Sequence, residues 1–152
     1  MRKLYVMSLV VTGLLVAVGA EQPKEKERDA RQTAETFLTA ALAGKAKEAA
    51  ALGEPGKAWS REDKIKDDFA DWKVKKLAIT SMHADDDNAL VITEKVAGKK
   101  REGPLVIILV KQDKRWLIRD VDHETEDSVK EELKRFQQKY RQARPVFEKK
   151  GK

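Results

Sequence analysis

The spacing of apolar positions changes twice along this chain, and each change marks a different kind of element. From residue 30 onward, Ala30, Ala34, Phe37, Leu38, Ala41 and Leu42 recur at steps of three and four, which places them on one helix face. Gly44 follows where a left-handed residue ends such a helix. Residues 45–52 read as a second, alanine-rich helix, closed by Gly53-Glu54-Pro55-Gly56. Ile65, Phe69 and Trp72 keep the helical spacing, so a short third helix is predicted over 61–71, with Ser60 and Asp63 placed like a capping pair.

The period then shortens. Residues 74–84, 89–97, 104–112 and 115–122 are rich in β-branched and large apolar side chains, and turn chemistry at 85–88, 98–103 and 112–114 separates them. Links this short join antiparallel neighbours. The run 105–110 is apolar on both faces, which predicts the most buried, central strand, with Pro104 tolerated at its start. Helical spacing returns at Val129, Leu133, Phe136 and Tyr140, predicting an amphipathic basic helix over 128–144 and a tail over 145–152. The expected fold class is α+β: N-terminal helices packed on a curved four-stranded antiparallel sheet, plus a C-terminal helix. Residues 30–127 form that domain.

The first twenty residues bear on location. Arg2 and Lys3 precede an apolar run over 4–18, and Val18-Gly19-Ala20 supplies small residues before the polar turn at Glu21. That is the secretory signal pattern. Fifteen helical residues span only ~22 Å, short of the ~30 Å hydrocarbon core. Cleavage after residue 20 and retention as an anchor are the two fates such a stretch allows, and cleavage is the expectation. Residues 21–29 are polar and read as a linker. Cleavage leaves 132 residues carrying about +4, since the leader holds two basic residues and no acid. The charges alternate in sign along most of the chain, which disfavours a specific nucleic-acid interface. The chain has no cysteine, which excludes thiolate catalysis, a lipidated cysteine and cysteine-based metal sites.

The segments Ala34-Glu35-Thr36-Phe37-Leu38 and Ala41-Leu42-Ala43-Gly44-Lys45, with the closing strand Lys114-Arg115-Trp116-Leu117-Ile118-Arg119-Asp120-Val121-Asp122, resemble the nuclear transport factor 2 superfamily. The likeness is to its ketosteroid-isomerase-like, SnoaL-like and small exported lumazine-binding-like members, over about residues 30–124. It implies a cone-like sheet and, because such domains often pair through their sheets, a homodimer. The superfamily includes enzymes, binding modules and dimerisation domains, so the resemblance speaks to fold more than to activity.

Candidate chemistry is sparse. Asp120-Val121-Asp122-His123-Glu124 gathers polar groups, but strand alternation turns Asp120 and Asp122 to one side and His123 to the other. His83 precedes the acidic turn Asp85-Asp86-Asp87. No metal site and no cofactor is expected from these. Enolate chemistry of the ketosteroid-isomerase kind would need a carboxylate base and a donor such as tyrosine. Tyr140, the one tyrosine after residue 20, lies outside the resembling segment, which leaves Asp120 as the candidate base. Phe37, Trp59, Phe69, Trp72 and Trp116 either fill the core or line an apolar pocket, with Trp116 expected against Phe37. Lys130, Lys134, Arg135, Lys139 and Arg141 make the last helix basic. Its apolar stripe lies either on the domain or on an anionic surface or partner. The expected function is an exported, non-catalytic binding or interaction domain of the cell envelope, holding a small hydrophobic ligand or pairing as a homodimer. The alternative is a small cofactor-free enzyme, isomerase- or dehydratase-like, that uses a cavity carboxylate.

Overall fold

Asp29 caps the first helix: its carboxylate accepts the amide of Gln32 at 2.7 Å, satisfying one of the free N–H groups of the opening turn. The computed structural model describes residues 29–70, 72–97 and 102–149. The expected leader and all of the linker before Asp29 lie outside the described residues. Helix α1 (Ala30–Leu42) is followed by α2 (Ala46–Ala50), a 3-10 turn (Ala58–Ser60) and α3 (Glu62–Phe69). Gly44, with φ at +74°, makes the break between α1 and α2. Ser60 does not cap α3. Arg61 holds the cap position without a side-chain bond, and the Ser60 hydroxyl donates back to the Lys57 carbonyl at 2.7 Å.

Strands β1 (Ile79–Ala84), β2 (Asn88–Ala97), β3 (Glu102–Gln112) and β4 (Arg115–His123) pair antiparallel in sequence order. Helix α4 (Glu126–Lys139) follows, and then a fifth strand, β5 (Arg144–Glu148), pairs antiparallel with β1. The molecule is thus an α+β fold with an open five-stranded sheet ordered β4-β3-β2-β1-β5. Four strands were expected. The fifth comes from residues assigned to the end of the last helix and the tail, because α4 stops at Lys139 and a turn at Tyr140–Ala143 sends the chain back along β1. The extra strand also moves the centre of the sheet from β3 to β2.

The continuous apolar run of β3 has a direct explanation. Leu105, Ile107 and Leu109 join Ala89 and Val91 in the core beneath α1, α2 and α3. On the opposite face, Val106 meets Leu90, Ile92 and Phe136 of α4. Helices therefore cover both faces, and alternate residues of β2 and β3 enter two separate cores. A bulge in β2 past Ile92 is filled by the buried Thr93, whose hydroxyl accepts the Leu105 amide at 2.9 Å.

The borders of the sheet differ. At β4, Ile118 donates to the Leu52 carbonyl and accepts from the Glu54 amide, each at 2.8 Å, so residues 52–54 cover part of that edge. At β5, Pro145 offers no donor, the register skips at Val146, and Arg144 and Glu148 are charged. Val146 is 60% exposed there. Among the described residues, no helix is long and apolar enough to cross a membrane.

Candidate functional site

Gly53 and the edge of β4 together place the tryptophan around which the site is built. A Cβ on Gly53 would stand 2.3 Å from the Trp59 carbonyl oxygen, so only glycine lets the 3-10 turn close on residues 52–54. With those residues hydrogen-bonded to Ile118, the Trp59 indole reaches along β4 and donates to Asp120 Oδ1 at 3.2 Å. The same oxygen accepts the amide of Val121 at 2.9 Å.

Between the 3-10 turn, α3 and β4 lies a cavity of about 650 Å³. Trp59, Phe69 and Trp72 give it an aromatic wall, and Leu105 and Val121 belong to its apolar base. The rings form a chain: Trp59 meets Phe69 edge-on at 6.2 Å, and Phe69 meets Trp72 at 4.9 Å. Trp72 continues to the His123 ring at 5.6 Å. Asp120, Asp122 and His123 face the cavity from β4, opposite Lys64, Asp67 and Asp68 of α3.

Each polar group has a local setting. His123 Nε2 lies 3.0 Å from both the Val96 and the Gly103 carbonyl oxygens. Carbonyls only accept, so Nε2 carries the hydrogen and ties the end of β4 to the base of the β2–β3 pair. Burial holds the Asp122 carboxyl above the usual carboxylate range, and nearby Asp120, Glu124 and Glu132 push the same way. Lys64 pairs with Asp68 at 2.7 Å, while its ammonium stands 5.3 Å from the centre of the Trp59 ring.

Of the five aromatic candidates, Trp59, Phe69 and Trp72 line this cavity. Phe37 is fully buried behind them, edge-on to Trp59 at 6.0 Å and to Phe69 at 6.2 Å. Trp116 is half-buried elsewhere on β4, with the Lys111 ammonium 5.9 Å from its ring centre. Asp120 was expected to share a face with Asp122 and to be separated from His123, yet all three border the cavity. The reason is position: β4 is an edge strand, and a groove running along an edge is reached by side chains from both faces. Alternation alone does not carry that information.

Lys130, Lys134, Arg135 and Lys139 are exposed on α4, while Arg141, expected on the same helix, is exposed in the turn that follows, because α4 stops at Lys139. The apolar stripe of α4 is turned inward, with Phe136 buried and Val129, Leu133 and the following Tyr140 packed around it. Arg135 is paired with Glu132 at 2.8 Å and with Glu131 at 3.7 Å. Among the described residues, no three histidine, aspartate or glutamate groups converge in a way that could hold a metal ion. No protein-family model, no curated protein and no solved structure matches the chain.

Proposed function

We propose that this protein is an exported, non-catalytic binding domain that holds a small, largely apolar molecule in the cavity between Trp59, Phe69, Trp72 and β4. The observation that carries the reading is the convergence of three aromatic side chains, from the 3-10 turn and from α3 and the chain after it, on β4, where Asp120 lies 61 residues after Trp59. A space of about 650 Å³ falls within the ~300–1,000 Å³ range of small-molecule sites. Export rests on the leader pattern over residues 1–20. The order of N-terminal helices before an antiparallel sheet is in keeping with a cone-like member of the nuclear transport factor 2 superfamily.

The neutral dye N-phenyl-1-naphthylamine tests the site. A saturable, one-to-one rise in its fluorescence that Trp72→Ala abolishes is expected. No saturable rise with the unmodified chain would refute the reading. For export, protein recovered from the periplasm of a bacterial host should have a mass that lacks residues 1–20.

A second reading has one specific observation in its favour: the raised carboxyl of Asp122 neighbours Asp120 in the same cavity. An acid beside a carboxylate is the minimum for proton transfer, with Asp120 as base. One Asp120 oxygen, however, already accepts two N–H groups, which fits a structural task. Retained isomerisation or dehydration activity in Asp120→Asn would discard this second reading.

A further inference from the structure

We infer that the aromatic cavity selects organic cations, an ammonium or guanidinium group carried on a flat apolar body. The inference rests on the reading of the cavity as a small-molecule site and names the class of molecule it takes. Three features of the cavity point the same way. Its aromatic wall is a chain of three touching rings, Trp59, Phe69 and Trp72, and the negative faces of such rings attract positive charge. Its polar side is acidic among the described residues: Asp120 and Asp122 border it from β4, and its one described lysine, Lys64, is paired with Asp68. The protein has also already set a cation over this wall: Lys64 holds its ammonium 5.3 Å from the Trp59 ring centre.

The two aspartates of β4 are arranged so that a positive charge would improve their situation. Asp120 and Asp122 share the β4 side of the cavity, and Asp122 is held above its ordinary range by burial and by Asp120. A cation between them and the rings would relieve that crowding while its apolar body covers Phe69 and Trp72. An anionic amphiphile of the same shape, a fatty or aromatic acid, would meet the same carboxylates with the wrong sign.

The test uses the full chain from residue 21 and three probes of matched shape: 2-phenylethyl-trimethylammonium, 2-phenylethanol and 3-phenylpropionate. Isothermal titration should give the cation at least about tenfold tighter binding than the alcohol, the scale of one partly desolvated cation–aromatic contact, and no binding for the acid. Asp120→Asn combined with Asp122→Asn should remove about that tenfold and leave the alcohol unchanged. Asparagine keeps an acceptor for the Trp59 indole, and an unaltered thermal unfolding midpoint establishes that the fold is retained. Equal affinity for cation and alcohol would overturn the charge selectivity while leaving the cavity a binding site. No binding of any probe at millimolar concentration would overturn the small-molecule reading and the selectivity with it.

Discussion

Arg119 and Glu54, 65 residues apart, meet in a two-pronged ion pair: Nε lies 2.7 Å from Oε2 and Nη2 lies 3.0 Å from Oε1. Gln112 adds a third donor to the same carboxylate at 2.8 Å. Glu54 is only 7% exposed, so its charge depends on these partners. The pair fastens the segment before the 3-10 turn to β4, and with it the wall of the cavity.

Removing one partner should therefore cost more than removing both. Arg119→Met is expected to destabilise by about 2–3 kcal/mol, since it strands a buried carboxylate. Glu54→Gln together with Arg119→Met should cost less than Arg119→Met alone. Urea unfolding of the four variants in a double-mutant cycle measures the difference. The Arg119 hydrogen bonds hold the Glu54 carboxyl below the usual range, against the opposing effect of burial. Unfolded chains thus bind more protons than folded ones in acid. The stabilisation is complete above the ordinary glutamate value of about 4.3 and fades as pH falls through the lower folded value. Unfolding midpoints between pH 5 and 2 should drop less steeply in Glu54→Gln.

Gly53→Ala should be among the most disruptive single-methyl additions in the chain. The new Cβ would collide with backbone, which has no rotamer to yield, so an overpacking cost of about 2–3 kcal/mol is expected. The turn carrying Trp59 must move for the methyl to fit. The variant should lose the Trp59–Asp120 hydrogen bond, visible as a changed indole N–H resonance.

His83 makes stability rise with pH in a separate window. Its Nδ1 is buried without a hydrogen-bond partner, and burial holds the imidazole below its usual range, partly offset by Glu148. The folded chain therefore binds fewer protons than the unfolded one. Stability is fully present above the ordinary histidine value of about 6.5 and declines as pH falls from there toward the folded value. Calorimetric midpoints from pH 7.5 to 5 should fall in the unmodified chain and flatten in His83→Leu.

Phe136→Ala separates the two cores. Phe136 is the buried anchor of α4 on the sheet face opposite the cavity. Its loss should cost about 3 kcal/mol, read by chemical denaturation. Affinity for the phenylethyl probes should stay within twofold, because no wall of the cavity comes from α4.

Much of this architecture was legible in the residues themselves. The β-branched runs and the Asp-Asn and Asp-Lys turns located β2 to β4 within two positions and the end of β1 at Ala84, since local period and turn geometry decide them, but β1 starts at Ile79 and not at 74. β5 was not legible. Arg144-Pro145-Val146-Phe147-Glu148 has no alternation, and its pairing depends on where α4 releases the chain beside β1. Arg31 of α1 helps hold it there, 4.2 Å from the centre of the Phe147 ring. The role of Ser60 was illegible for a similar reason, because its hydroxyl donates to the Lys57 carbonyl and Arg61 takes the cap position of α3. At the site, Trp59, Phe69 and Trp72 were visible as aromatic residues at suggestive spacing. The approach of Asp122 and His123 to one groove depended on β4 lying at an edge, a fact of strand order that no local pattern encodes.

The two unlike borders of the sheet bear on how the molecule behaves in a crowd. With residues 52–54 laid over part of β4, and Pro145 and a register skip at the other rim, neither side gives a neighbouring chain a long, flat template for stacking. Concentrated solutions should resist growth into cross-β fibrils. Truncation after Lys139 would bare the backbone of β1 from Thr80 to Ala84, turning a blunted rim into an adhesive one.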